Sequence, residues 1–88
     1  MPITQDSAQH KFTNGQQAEL EYQLPAKGVI EFTHTFVPES ARGQGIGEEL
    51  AKTGLEYARQ HHLQVIPTCP FVAKYIERHR EYADLVQR

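Results

Sequence analysis

Residues 41–50 read Ala-Arg-Gly-Gln-Gly-Ile-Gly-Glu-Glu-Leu and put Gly43, Gly45 and Gly47 where a helix has to nucleate. In a helix interior each glycine costs about 1 kcal/mol relative to alanine, so bare backbone must serve some purpose here. One purpose is chemical. The first four amides of a helix have no internal partner, and the helix dipole sets about half a positive charge beside them. Without Cβ atoms in the way, a phosphate can reach those amides. The other purpose is structural, a tight turn and close packing of helix on sheet. Glu48 and Glu49 suit both, because acidic groups complement the dipole. Two more side chains have reactive chemistry. Cys69, the one cysteine, stands in Pro-Thr-Cys-Pro at a junction of strand and helix. A helix N-terminus there favours the thiolate and makes a nucleophile; the alternative is a small buried hydrophobe. An imidazole such as that of His34 can move protons near neutral pH, or it packs with Phe32 and Phe36, whose strand parity it shares.

Composition narrows the chemistry. Eighty-eight residues, 39% hydrophobic and 23% charged, suit one domain over 1–88 with a core able to fold alone. A net charge of −2 argues against nucleic acid, which needs a basic stripe. A single cysteine excludes an internal disulfide and completes no zinc-ligand set, so no metal is expected. No apolar run approaches the roughly 20 residues of a membrane span. The opening residues Met-Pro-Ile-Thr-Gln-Asp-Ser lack a signal-peptide apolar region. The expectation is a cytoplasmic protein without membrane contact, with residues 1–9 flexible.

The elements that must position these groups follow from periodicity. His10 to Thr13 is short and extended, and Asn14-Gly15 is a strong hairpin signal. Glu19 to Leu24 alternates, with Leu20, Tyr22 and Leu24 on one face, and Pro25 to Gly28 reads as a turn. Val29 to Val37 is β-branched and aromatic, long enough for a central strand, and Pro38 ends its ladder. From Gly45 to His61, apolar and small residues recur at helical spacing. Leu63 to Cys69 returns to a strand broken by Pro67, and 70–86 reads as a second helix with Pro70 in its first turn. The order β-β-β-α-β-α predicts an α/β (α+β) fold. Its sheet is mostly antiparallel, and the helical crossover makes one parallel pair.

The phosphate loop has a recognisable form. A Walker A loop needs Lys-Ser/Thr after its last glycine, and Gly47 is followed by Glu48. The dinucleotide fingerprint fails because Glu48 stands at its third glycine. What stands here is Arg-x-x-Gly-x-Gly, Arg42 to Gly47, after a strand ending Val37-Pro38. This resembles the coenzyme A pyrophosphate loop of the GCN5-related N-acetyltransferases. The segment 67–86 and the short length are similar to the small single-domain members of that superfamily. The resemblance runs from about residue 10 to residue 86.

That resemblance implies a fold with the parallel pair splayed, an acetyl-CoA or coenzyme A ligand, and transfer of an acetyl group to an amine acceptor. The backbone of Arg42, Gly43, Gln44, Gly45, Ile46 and Gly47 would hold the pyrophosphate. Phe36 and Val37 would pair their backbone with the pantetheine arm. Thr68, Cys69 and Pro70 would lie beside the thioester, and Lys74 would reach a phosphate of the adenosine end. Tyr75, in Ala73-Lys74-Tyr75, matches a tyrosine that protonates the departing thiolate; otherwise it is an aromatic of an amphipathic helix. Cys69 would accept the acetyl group or activate it by contact, and His34 would act as general base. Larger members carry an N-terminal helical segment that builds the acceptor site, and here strands begin near residue 10. The acceptor would therefore meet an open face. A non-catalytic CoA-binding or protein-interaction module is the alternative.

Overall fold

The computed structural model describes residues 3–87. Four strands come first: β1 (Thr4–Asp6), β2 (Lys11–Thr13), β3 (Glu19–Ala26) and β4 (Val29–Phe36). Helix α1 (Ile46–Gln60), strand β5 (Gln64–Pro67) and helix α2 (Pro70–Arg78) complete the order. The sheet runs β1-β2-β3-β4-β5, antiparallel up to β4 and parallel between β4 and β5. The predicted order therefore stands, preceded by one more strand. β1 falls within the stretch expected to be flexible, of which residues 1 and 2 lie outside the described residues. It pairs Gln5 with Phe12 and lends the Gln5 amide to the Tyr22 hydroxyl at 2.8 Å.

The hairpin signal at Asn14-Gly15 marks a real turn, but a longer one. Asn14 is buried, and its Oδ1 accepts the amides of Gln16 and Ala18 at 2.8 and 3.2 Å, which closes the loop between β2 and β3. The β3–β4 turn tightens to Lys27-Gly28, with Gly28 at φ +76°, and β3 runs on through Pro25. Proline cannot donate to the ladder, and the register shifts between Gln23 and Ala26. That shift turns Leu24 out, 47% exposed, against the parity that grouped it with Leu20 and Tyr22.

A second irregularity decides the site. Glu21 pairs with His34 and Tyr22 with Phe32, which leaves Thr33 as an extra residue in β4. Before this bulge Ile30 and Phe32 face the helices; after it Thr35 does, opposite Leu20. His34 and Phe36 turn to the other face.

Both helices pack on one side of the sheet. α1 buries Leu50, Ala51, Leu55 and Ala58 against Phe12, Leu20 and Phe32, and α2 buries Val72 and Ile76 in the same core. The predicted second helix stops at His79, and residues Arg80–Leu85 form a 3₁₀ turn instead. Tertiary bonds override its helical pattern: the Tyr82 hydroxyl donates to Glu56 at 2.6 Å, Arg59 pairs with Asp84 at 3.0 Å, and Val86 bridges to Val65.

Gly54 is where α1 sits down on the sheet. A Cβ there would lie 2.8 Å from Phe32 Cε1 and 3.0 Å from Leu20 Cδ2. Gly54→Val is expected to destabilise by about 2 kcal/mol through overpacking, read as a lower urea midpoint at unchanged slope. A midpoint equal to the parent's would show that α1 does not rest on Phe32.

Candidate functional site

β5 ends at Pro67, opposite Phe32, while β4 continues to Phe36. Past Pro67 the chain turns. Thr68 N–H donates to the Ile66 carbonyl at 3.0 Å, and Cys69 N–H to the Phe32 carbonyl at 2.9 Å. Beyond Phe32 the two strands therefore no longer pair, and β4 has a free edge beside the start of α2.

The glycine loop lies next to that edge. A short 3₁₀ turn, Glu39–Ala41, leads into Gly43 at φ +86° and Gly45 at φ +77°. Both glycines occupy the left-handed region that L side chains rarely adopt. A Cβ on Gly43 would have no neighbour within 4 Å, and one on Gly45 would meet only a Glu48 oxygen at 4.0 Å. Gly47 differs. Its Cβ would lie 2.8 Å from the Phe71 ring, so bare backbone here serves the packing of α2 on α1. Gly45 caps α1 with no side-chain hydrogen bond, which leaves the first amides of the helix without a capping oxygen.

The end of β4, the loop and α2 enclose a cleft of about 600 Å³. Of the residues singled out in the sequence, Val37, Arg42, Gly43, Gly45, Ile46, Gly47, Lys74 and Tyr75 line it. Gln44 is exposed on the loop outside it, and Pro70 is exposed at the start of α2. Thr68 is exposed, with its hydroxyl on the Glu31 carboxylate. Phe36 is 43% exposed on the sheet face away from the helices. The bulge puts His34 on that face as well, opposite Glu21, and separates it from the aromatic residues of the core. Cys69 is buried, 3% exposed, behind Thr35, whose Oγ1 is 3.2 Å from Sγ.

Electrostatics give the cleft a polarity. Arg42, Lys74 and Arg78 bring positive charge, and Glu48 one carboxylate on an exposed side chain. Arg42 Nε donates to the Val37 carbonyl at 3.2 Å, which ties the loop to the end of β4. Burial, with lesser contributions from Glu81, Glu48 and Glu56, holds the Tyr75 hydroxyl above the usual tyrosine range. The hydroxyl therefore stays protonated at neutral pH. Its ring stacks on His79, with centroids 4.1 Å apart.

Thr35, Ala41, Phe71 and Arg78 also line the cleft and were missed in the sequence, which marked Glu48 only for the helix dipole. Phe71, Lys74, Tyr75 and Arg78 fall at helical spacing and make one stripe of α2, a signal that was available. Thr35 was hidden by the bulge.

A family model described as GCN5-related N-acetyl-transferase matches residues 8–85. Protein NATD1 of Gallus gallus is 32% identical over 80 residues, which cover 85% of this chain and 73% of that protein. Protein NATD1 of Homo sapiens is 32% identical over 80 residues, 85% of this chain and 71% of that one. The solution structure of a GCN5-like protein from Staphylococcus aureus superimposes with a TM-score of 0.76 at 31% identity, covering 98% of this chain and 87% of the other. A five-stranded sheet with one parallel pair, a glycine loop at the start of α1 and a match over nearly the whole length agree, and the chain belongs to the GCN5-related N-acetyltransferase family.

Proposed function

We propose that this chain is a single-domain cytoplasmic acetyltransferase that binds acetyl-CoA in the cleft and passes the acetyl group to an amine. The observation that carries this reading is the loop: Gly43 and Gly45 in left-handed conformations, open space where their Cβ atoms would be, and an uncapped helix start beside them. Such a cradle fits a diphosphate. The backbone of residues 42–47 would hold it once the Glu48 carboxylate, whose Oε1 lies 4.0 Å from the position of a Gly45 Cβ, swings out to solvent. The free edge of β4 fits an extended pantetheine arm, and pairing at Val37 requires Arg42 to release that carbonyl. Lys74, with Arg78 one turn on, would meet a phosphate of the adenosine end. When bound, acetyl-CoA supplies an acyl group activated as a thioester. Tyr75 holds the proton that a departing thiolate needs. Cys69 is the candidate for taking the acetyl group on sulfur, and His34 would serve as base from the open sheet face, where an amine can approach.

A binding-only module is favoured by one specific observation, the burial of Cys69 behind Thr35. Intact-mass measurement after incubation with acetyl-CoA separates the two. An acetylated amine or an acetyl-enzyme supports transfer; bound but unconsumed acetyl-CoA supports the module.

Calorimetric titration tests the common ground. CoA and acetyl-CoA are expected to bind at least about tenfold more tightly than ATP, about 1.4 kcal/mol; binding of ATP without CoA would overturn the assignment of the loop. Lys74→Ala is expected to weaken CoA by about fivefold, on the order of 1 kcal/mol for an exposed charge, and to leave dephospho-CoA little changed. Equal losses for both would move Lys74 to the diphosphate. Tyr75→Phe is expected to slow transfer by about 100-fold without altering CoA affinity. With the hydroxyl held above its usual value of about 10, the parent rate should show no loss of proton donation below that pH. A fully active Tyr75→Phe variant would return this residue to packing.

A further inference from the structure

Phe71 lines the cleft beside the glycine loop and keeps 41% of its surface exposed there. It leans on α1 by the tip of its ring. A Cβ on Gly47 would lie 2.8 Å from Cζ but 3.3 Å from Cε1 and Cε2 alike, so α1 takes the edge of the ring and leaves its faces. The other ring of the cleft, Tyr75, already stacks on His79. Among the described residues no aromatic side chain stacks on Phe71. Lys74 and Arg78 follow it along the same stripe of α2, and among the described residues neither is in an ion pair.

An open aromatic face with two unpaired cations along one helix is chemistry suited to a nucleotide. The base stacks on the ring, and the phosphates meet the cations. An extended amide arm asks for neither, since a strand edge is enough to pair with it. We propose that Phe71 is the platform for the nucleobase of the acyl donor. The cleft then selects a thioester carried on a nucleotide, as in free acyl-CoA, over the same phosphopantetheine arm carried on a protein. The inference rests on the reading of the cleft as a coenzyme A site. In that binding mode the loop takes the diphosphate, the β4 edge takes the arm and Lys74 takes a phosphate, and the base is left to Phe71. Gly47 fixes where the platform stands, because bare backbone lets the ring tip settle at the first turn of α1 beside the loop. Every base has a π-face, so the ring selects for a nucleotide and not for one base.

The test is calorimetric titration of CoA and of 4′-phosphopantetheine into the parent, Phe71→Leu and Phe71→Tyr. Leucine keeps an apolar side chain and removes the π-face; tyrosine keeps the ring. Phe71→Leu is expected to weaken CoA by about tenfold and 4′-phosphopantetheine by less than about twofold. Phe71→Tyr is expected to hold CoA within about threefold of the parent. Proton spectra of CoA give a second readout. Its adenine signals should move upfield on binding to the parent, through the ring current of Phe71, and lose that movement in Phe71→Leu. Thermal unfolding establishes that each variant is folded, and Phe71→Ala serves as the ring-free variant if leucine does not fold. Unchanged CoA affinity in the ring-free variant would overturn the proposal and leave the coenzyme A site intact. Equal losses for both ligands would overturn it too, as would upfield movement of the geminal methyl signals in place of the adenine signals, because either result puts the ring against the arm. A parent that binds neither ligand would overturn the reading of the cleft itself.

Discussion

The parallel ladder between β4 and β5 ends at Pro67, and the site depends on that stop. Past Pro67 the chain turns: Thr68 N–H donates to the Ile66 carbonyl, Cys69 N–H takes the Phe32 carbonyl, and α2 begins at Pro70. The freed edge of β4, the start of α2 and the start of α1 then border one cleft. The turn after Pro67 thus leaves the last residues of β4 unpaired on the side of the cleft, the edge to which the proposed extended ligand would add.

The two helix starts at this cleft are built differently. α1 begins from a glycine in the left-handed conformation without a capping side chain, so its electropositive end is left for another oxygen. α2 begins with proline at its first position, where a missing N–H costs nothing, and it offers side chains: Phe71, Lys74, Tyr75 and Arg78 in one stripe. Gly47 lets Phe71 settle on α1 and fixes the distance between the two. In the proposed reading one helix would supply backbone and dipole, the other charge and a proton.

The elements were legible because their signals are local. Helical spacing from Ile46 to Ala58, the turn chemistry of Asn14 and Gly28, and Pro67 each speak for a few neighbouring residues. The loop was legible because glycine at 43 and 45 signals backbone in the left-handed region, where both residues lie. What escaped the sequence was set by pairing between strands. Simple alternation groups His34 and Phe36 with Ile30 and Phe32, and one extra residue at Thr33 reverses that order. The cleft therefore receives Thr35 where parity offered His34. The break at His79 escaped for a similar reason, since Tyr82 and Arg59 act across 26 and 25 residues of chain on Glu56 and Asp84. No window of neighbouring residues contains those bonds.

The central claim is that the bare loop and the free edge of β4 receive coenzyme A. Amide chemical shifts of the ¹⁵N-labelled protein during titration with CoA report on both at once. The signals of Gly43, Gly45, Gly47 and Val37 are expected to move together and saturate together, while those of β1 and β2 stay in place. Movement confined to the second groove, between α1 and β2 around Phe12, Lys52 and Tyr57, with the loop glycines unmoved, would contradict it.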